Sequence, residues 1–307
     1  MDELSQIALK LMNKQHFDCL AVGVIDFKNL SFKSFEIQNQ KISSDPQLYF
    51  DLASLTKFLT VSTAYLIDSN LFDKEMMLLL NHSAGFPAYG RLSKDNWHHQ
   101  LNSYKIKKSI ELYSDFSALR LMLEIEKKTK LEISEIVSKY WDDQLLYWQD
   151  LPAKNLSPQT GFRRNKVIQG EVLDDNAYLL KNVKCTHAGL FATVNGLCKT
   201  IINMQRDLNL MEVIDKAFKQ KKEGSRFVLG FDTVTNPEFG LAGIGASSNT
   251  FGHLGFTGTS VWINPQKNIG SVILTNATKN YWYDRVNLNN LRRELGKKIW
   301  HMGDGKN

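Results

Sequence analysis

Apolar residues at helical spacing open the chain. Their stripe predicts an amphipathic helix over residues 2–15 and consists of Leu4, Ile7, Ala8, Leu11 and Met12. Two runs rich in β-branched and aromatic residues follow, Cys19–Phe27 and Leu30–Ile37, and the short connection between them predicts a hairpin. The N-terminal pattern is therefore helix, strand, strand.

The last third of the chain again shows strand patterns and then a helix. Apolar residues alternate with small ones over Gly252–Asn264 and over Asn268–Asn276, which predicts two strands bridged at Pro265. An amphipathic helix is predicted over residues 284–300. Strands are thus expected near both ends of the chain.

The middle of the chain is predicted to be mainly helical. Helical spacing returns over Ser54–Asp68 and continues to about residue 207, with long loops around Pro87 and over Pro152–Arg164. Sequential strands usually pair, and both terminal helices need an apolar surface to cover. The expected fold is therefore α/β in the α+β sense, with one antiparallel sheet flanked by the N- and C-terminal helices.

No repeat and no Gly-, Ser- or Pro-rich linker divides the chain, so we expect one unit over residues 1–307. Its sheet lobe is expected from about residues 1–53 together with 208–307. The mainly helical lobe is expected at about residues 54–207, inserted between the two chain ends.

Composition places the chain among globular proteins. Of its 307 residues, 43% are hydrophobic and 23% charged, which excludes collagen-like and disordered classes. The net charge of +6 is spread along the chain, and its densest runs are the short Lys105–Lys108 and Lys219–Lys222. A nucleic-acid surface needs a concentrated basic face with stacking aromatics. The expected partner is therefore a small molecule or a peptide, and not a nucleic acid.

Cysteine count and apolar run length bear on the compartment. Three cysteines are too few and odd in number for a disulfide framework. No apolar run approaches the roughly 18 residues of a membrane span. Asp2 and Glu3 open an amphipathic pattern, whereas a signal peptide has a basic start and an apolar stretch. If Met1 is the native start, we expect a cytoplasmic protein; the oligomeric state is not predicted.

Residues 54–57 are a candidate for nucleophilic chemistry. They form a Ser-x-x-Lys sequence at the start of a predicted helix, so the Ser54 hydroxyl and the Lys57 amine share one face. At its ordinary pKa a lysine is a free base in only about one molecule in two thousand at pH 7. Apolar neighbours such as Leu55 and Phe58 favour burial, which lowers a lysine pKa. Taken alone, the sequence is more typical of an ordinary helix N-cap followed by a solvated lysine than of a nucleophile with its base.

Further segments accompany it in order. Tyr113-Ser114-Asp115 precedes a predicted helix, and His253-Leu254-Gly255 lies on a predicted strand. In this order the chain resembles the serine β-lactamase and D,D-peptidase superfamily, most closely its class C-type branch, which includes many β-lactamase-fold esterases. That family has Ser-x-x-Lys, then Tyr-x-Asn or a variant, then Lys/His-x-Gly. The resemblance spans about residues 50–278 and includes the family-like segments Leu79–Pro87, Gly170–Ala177 and His187–Thr193.

The resemblance implies a β-lactamase/transpeptidase-like fold and a serine hydrolase. Ser54 would be the nucleophile that is acylated, and Lys57 its proton partner. Tyr113 would be the general base, or the proton shuttle toward the leaving group. No cofactor and no metal is implied.

The same resemblance assigns substrate-binding and oxyanion positions. The backbone N–H groups of Ser54 and of Phe256, which follows Gly255, would form the oxyanion hole. His253 would line the site opposite the tyrosine. Asp115 takes the position in which many relatives have Asn, and we place it in this group.

Departures from the family pattern carry chemical consequences. Asp115 brings a negative charge close to Lys57 and keeps it protonated, against the effect of burial; the sequence leaves open which effect prevails. His253 stands where β-lactamases have a lysine, so Tyr113 lacks a second permanent cation. Leu254 stands where Thr is common, which removes a hydroxyl for a substrate carboxylate. These differences favour a peptidase or an esterase over efficient β-lactam hydrolysis.

Other candidate residues receive structural interpretations. Cys185, His187 and Cys198 lack the spacing of a zinc site, so no metal is expected. His82 is expected to be a buried hydrogen-bonding residue. Residues 281–283, Tyr-Trp-Tyr, fit a substrate rim or packing under the C-terminal helix equally well.

Two functions follow as hypotheses. The first is a serine acyl hydrolase that forms an acyl-enzyme on Ser54 and acts on an ester or amide, such as a small ester, a D-amino-acid peptide or a β-lactam. The second is a non-catalytic peptide- or muropeptide-binding protein that retains the fold. Asp115, Leu254 and the short stretch Ser69–Leu79 motivate the second. The presence of all three catalytic-type residues favours the first.

Overall fold

The main sheet joins strands from both ends of the chain. The computed structural model describes residues 1–280 and 285–302. In chain order the strands there are β1 (Cys19–Asp26), β2 (Ser31–Gln38), β3 (Lys41–Ser43), β4 (Phe50–Asp51), β5 (Leu145–Tyr147), β6 (Gln159–Arg163), β7 (Lys166–Gln169), β8 (Leu190–Ala192), β9 (Phe227–Val228), β10 (Phe231–Thr233), β11 (Phe251–Leu254), β12 (Ser260–Asn264) and β13 (Ile269–Thr275). The main sheet has the order β3-β2-β1-β13-β12-β11-β10-β9, and every neighbouring pair is antiparallel.

Helices cover both faces of this sheet. They are α1 (Asp2–Met12), α2 (Leu55–Lys57), α3 (Thr63–Ile67), α4 (Lys74–Leu80), α5 (Trp97–Ser103), α6 (Asp115–Thr129), α7 (Ile133–Val137), α8 (Asp175–Leu179), α9 (Val194–Leu208), α10 (Leu210–Phe218) and α11 (Val286–Met302). A π-helical turn, Phe58–Ser62, joins α2 to α3. Within the described ranges, no helix is both long and apolar enough to cross a membrane.

Alternation along β1 divides the core into two layers. Leu20 and Val22 point to one face, where they pack in a cluster with α1 and α11. Cys19 and Ala21 point to the other face, into the larger cluster that contains the middle helices. The expected antiparallel sheet flanked by the two terminal helices is therefore confirmed. The predicted boundaries between a sheet lobe and a helical lobe stay a prediction.

The middle of the chain contains strands that the sequence did not predict. β4, β8 and β5 form a small antiparallel sheet, and β6 pairs with β7 in a hairpin. The hairpin of β6 and β7 begins within the segment Pro152–Arg164, which was expected to be a loop. These strands have two to five residues, too few for a clear period of two.

The predicted strand over Gly252–Asn264 is wrong as a single element. It is a hairpin, with β11 paired to β12 through Gly252 opposite Trp262 and Leu254 opposite Ser260. The connecting turn closes through the Gly255 N–H, which donates to the Thr259 carbonyl at 2.8 Å. Because both arms have the same alternation, the periodicity did not show the reversal.

Candidate active site

Ser54 lies where β4 turns into a helix. Ala53 has the left-handed φ of +47°, a conformation that costs free energy in a non-glycine residue. The buried Asp51 carboxylate holds it there: one oxygen accepts the Ala53 N–H at 2.8 Å and the other accepts the Leu173 N–H at 2.8 Å. Burial raises the pKa of Asp51 to about 6. This sharp turn leaves Ser54 half-buried at the N-terminus of α2.

Lys57 is almost completely buried, with 1% of its side chain exposed, and its amine has three partners. Nζ lies 3.0 Å from Ser54 Oγ, 3.1 Å from the His187 carbonyl oxygen and 2.7 Å from Asp115 Oδ1. An ammonium has three N–H donors, so each has an acceptor. The spacing in the sequence correctly predicted that the hydroxyl and the amine meet.

The charge of Lys57 is decided by Asp115. Burial acts to lower the pKa of Lys57, but the Asp115 carboxylate outweighs it and holds that pKa above its ordinary value. Lys57 is therefore a cation in the resting site. The argument from apolar neighbours, which pointed to a free amine, does not hold here.

Tyr113 lies among three other site residues. Its ring is 4.8 Å from the His82 ring and 5.8 Å from the His253 ring, and Lys57 Nζ lies 4.7 Å from its centroid. The hydroxyl is buried, and its contacts with Lys57 and Ser54 fall short of regular hydrogen-bond geometry. Burial raises the pKa of Tyr113, and the Lys57 charge does not offset this. The resting phenol therefore keeps its proton.

His82 fixes the segment that carries Tyr113. Its Nδ1 accepts the Ser114 N–H at 3.2 Å, and the Ser114 hydroxyl donates to the Pro87 carbonyl at 2.6 Å. Ser114 also caps α6, because its hydroxyl accepts the Ser117 N–H. His82 therefore has the buried hydrogen-bonding place that the sequence predicted.

His253 is a neutral imidazole. On β11 its Nδ1 lies 2.8 Å from the Leu254 carbonyl oxygen and so carries the hydrogen, which leaves a lone pair on the buried Nε2. Burial, together with the charge on Lys57, lowers the pKa of His253 to about 4. The ring of His253 thus lies near that of Tyr113 and brings no positive charge to the site.

Two threonine hydroxyls attach the turn after His253 to the segment before Ser54. Thr257 donates to the Asp51 carbonyl at 2.7 Å, and Thr259 donates to the Leu52 carbonyl at 3.1 Å. Gly255 lies so close that a Cβ there would be 2.6 Å from the Leu52 carbonyl oxygen. The turn therefore needs glycine at this position.

Phe256 lies at the tip of this turn, and 49% of the residue is exposed. Arg285 donates to the Phe256 carbonyl at 2.6 Å and lies 4.8 Å from the centroid of its ring. The turn places Phe256 next to the segment that leads to Ser54. The assignment of the Ser54 and Phe256 N–H groups to an oxyanion hole stays a prediction.

An ion pair between a buried imidazole and a partly exposed carboxylate lies behind Lys57. His187 Nε2 is 2.8 Å from Asp174 Oδ1, and the same oxygen accepts the Ala177 N–H at the start of α8. Burial acts to lower the pKa of His187, but the Asp174 carboxylate outweighs it and raises that pKa to about 10. The pair anchors the residue whose carbonyl accepts a hydrogen bond from Lys57.

The structure brings Ser54, Lys57, Tyr113, Asp115 and His253 together through these contacts. Sequence reasoning missed five supporting residues, namely Asp51, Asp174, Thr257, Thr259 and Arg285. Asp174 lies inside the family-like segment Gly170–Ala177, and the other three residues before Arg285 in this list lie within four positions of Ser54 or Gly255. Polar residues in and around the motifs were therefore the available signal. The predictions for residues 281–283 lie outside the described residues. Within residues 1–280 and 285–302, no group of three His, Cys, Asp or Glu residues is arranged to hold a metal ion.

Two curated proteins are similar to part of this sequence. An N-acetylmuramyl-L-alanine amidase of Bacillus subtilis is 31% identical over 126 residues, which are 37% of this chain and 27% of that protein. A putative D-alanyl-D-alanine carboxypeptidase of Escherichia coli is 31% identical over 124 residues, which are 37% of this chain and 28% of that protein. The matched stretch thus spans little more than a quarter of the length of these curated relatives.

The solved structures agree in fold. A β-lactamase/D-alanine carboxypeptidase from Pseudomonas syringae superposes with a TM-score of 0.69 at 16% identity, covering 98% of both chains. The sequence model of the Beta-lactamase family matches residues 76–295, a stretch that includes Tyr113, Asp115 and His253. Because this match covers more than two thirds of the chain, the protein belongs to the Beta-lactamase family, within the superfamily of serine β-lactamases and D,D-peptidases.

Proposed function

We propose that the protein is a serine acyl hydrolase that forms an acyl-enzyme on Ser54. The observation that carries the proposal is the distance of 3.0 Å between Ser54 Oγ and the buried Lys57 Nζ, at the N-terminus of a helix. A buried amine in contact with a hydroxyl is a typical arrangement for activating a serine nucleophile. The N-terminus of a helix also favours the negative charge that develops there.

Each neighbouring group has a part in the proposed reaction. Ser54 Oγ bonds to the acyl carbon as the carbonyl π electrons move to the oxygen, and the Ser54 proton passes to Lys57 after that amine has given up one of its own protons. The Ser54 and Phe256 N–H groups receive the oxyanion, a contribution of about 3 kcal/mol for each donor in comparable enzymes. Tyr113, which keeps its proton at rest, protonates the leaving group as its bond to the acyl carbon breaks. Water then attacks the acyl-enzyme and returns a proton to Tyr113, and Ser54 leaves with the proton held by Lys57.

The proposed substrate is an ester or an amide. The names of the amidase and the carboxypeptidase relatives favour a peptide or amide of cell-wall type, and small esters remain within the class. The neutral His253 and the apolar Leu254 provide neither a cation nor a hydroxyl for a substrate carboxylate. We therefore expect β-lactams to acylate Ser54 more slowly than a small activated ester does.

Intact-mass labelling tests the proposal. Wild type is incubated with a fluorophosphonate and, separately, with a penicillin, and we expect one adduct with each probe, equal to the fluorophosphonate mass less HF and to the full mass of the penicillin. Ser54→Ala should abolish it, whereas Ser69→Ala, which changes an exposed serine at the end of the same helical region, should not. Absence of any adduct on wild type with both probes would contradict the proposal.

One observation favours the second candidate, a binding protein without turnover. The three hydrogens of Lys57 all have acceptors, and Asp115 keeps the amine charged, so Lys57 is not a free base in the resting site. A non-catalytic protein would bind a muropeptide or peptide and not consume it. Turnover of 4-nitrophenyl acetate that Ser54→Ala eliminates would exclude this candidate.

A further inference from the structure

Asp115 lies at a position that connects the buried amine with solvent. It is the first residue of α6, where the helix dipole favours a carboxylate. Its N–H donates to the Ala88 carbonyl at 2.8 Å, which fixes the backbone. One carboxylate oxygen lies 2.7 Å from Lys57 Nζ, and 24% of the side chain is exposed. The carboxylate can therefore exchange protons with both Lys57 and solvent.

The contacts of Lys57 suit a neutral amine as well as an ammonium. Two of its partners, the His187 carbonyl and the Asp115 carboxylate, can only accept hydrogen bonds, so each takes one N–H. The third partner is the Ser54 hydroxyl, which can accept or donate. A neutral amine has two N–H groups and one lone pair, which would then point at Ser54 Oγ. Lys57 thus needs no movement to become the base, only a nearby acceptor for one proton.

We propose that Asp115 is that acceptor, so that acylation uses a relay from Ser54 through Lys57 to Asp115. This inference rests on the proposed function. Lys57 gives one proton to Asp115 Oδ1, which leaves a neutral amine and a carboxylic acid. As Ser54 Oγ bonds to the acyl carbon, its proton moves to Nζ and the carbonyl π electrons move to the oxygen. The ion pair and its neutral form contain the same number of protons, so this activation exchanges none with solvent.

The other ionisable groups around Lys57 are less suited than Asp115 to accept its proton. Tyr113 keeps its proton, and His253 and His82 are neutral, because burial lowers the pKa of both imidazoles. The remaining charged groups that act on the cluster are paired, and they are Asp174 with His187 and Arg226 with Asp232. Asp51 accepts two backbone N–H groups. Among the described residues, Asp115 is the one carboxylate in contact with the Lys57 amine.

The rate of fluorophosphonate labelling of Ser54 between pH 5 and 10 tests the relay. The probe releases fluoride, which needs no proton to leave, so the rate reports the removal of the Ser54 proton. The variant is Asp115→Asn, which keeps an oxygen for Lys57 and cannot take up a proton. Glu124→Gln is the matched control, because it removes a carboxylate from the same helix, where Glu124 pairs with Arg120.

For wild type and Glu124→Gln we expect a rate that is level through neutral pH, because the relay exchanges no proton with solvent. In Asp115→Asn the proton of Lys57 must leave to solvent, so the rate should fall as pH decreases through neutral. At pH 6 this variant should be labelled at least tenfold more slowly. An unchanged profile, or faster labelling at pH 6, would overturn the relay and leave the function intact.

Wild type alone also decides the question, in case Asp115→Asn does not fold. A wild-type rate that climbs tenfold per pH unit from pH 7 to 10 would show that Lys57 loses its proton to solvent, and it would overturn the relay. No Ser54 adduct at any pH would overturn the proposed function itself. The two failures are therefore distinguishable.

Discussion

The ion pair between the buried His187 and Asp174 predicts how the free energy of unfolding changes with pH. Asp174→Asn removes the negative charge and retains an oxygen both for His187 and for the Ala177 N–H that it caps. The change therefore isolates the charge from the hydrogen bonds. Asp175→Asn is the matched control, since Asp175 is 87% exposed and pairs with Arg163 at the surface.

The magnitude follows from the direction of the two pKa shifts. The folded pKa of His187 is raised to about 10 from 6.5, so its contribution is complete below pH 6.5 and is lost as pH rises toward 10. The pKa of Asp174 lies below its ordinary 3.8, so its contribution is lost only in strong acid. The pair is thus most stabilising between about pH 4 and 6.5. Separating a buried pair costs about 3–5 kcal/mol, and linkage gives about 1.4 kcal/mol per pH unit.

Urea unfolding at pH 6 and pH 9 measures the effect. At pH 6, Asp174→Asn should lower the free energy of unfolding by about 3–5 kcal/mol, and at pH 9 the difference from wild type should be about 3 kcal/mol smaller. Asp175→Asn should remain within about 0.5 kcal/mol of wild type at both pH values. A wild-type free energy of unfolding that changes with pH in parallel with that of Asp174→Asn would refute a charged His187.

Two further predictions concern β11. Gly252→Ala would bring a Cβ within 1.9 Å of the Val261 carbonyl oxygen. We therefore expect the free energy of unfolding, measured by urea titration, to decrease by about 3 kcal/mol or more. A decrease below about 1 kcal/mol would contradict this close packing. Burial lowers the pKa of His253 to about 4. As pH falls from 6.5 to 4 the unfolded chain therefore takes up a proton that the folded protein does not, and the free energy of unfolding decreases. His253→Gln should make this decrease about 3 kcal/mol smaller. Equal acid losses in wild type and His253→Gln would show that His253 is charged when folded.

Local spacing was enough to predict the helix–strand pattern at the chain ends and the contact between Ser54 and Lys57. An α-helical turn places side chains three residues apart on one face whatever surrounds it, which explains the 3.0 Å contact. The hairpin of β11 and β12 was missed, because a reversal at Gly255 leaves the alternation of apolar residues unchanged. The other two strands of the small sheet, β5 and β8, were missed because they are too short to show a period, whereas the segment with β4 was expected to be extended.

The amino-acid sequence by itself determined the terminal helices and strands, the order of the motifs and the pairing of Ser54 with Lys57, because these depend on neighbours along the chain. Only the tertiary structure decided the charges. Burial of Lys57 was predictable from its apolar neighbours, but a residue 58 positions later in the chain, Asp115, holds it as a cation. Electrostatic free energy depends on distances in space and on burial, and folding sets both.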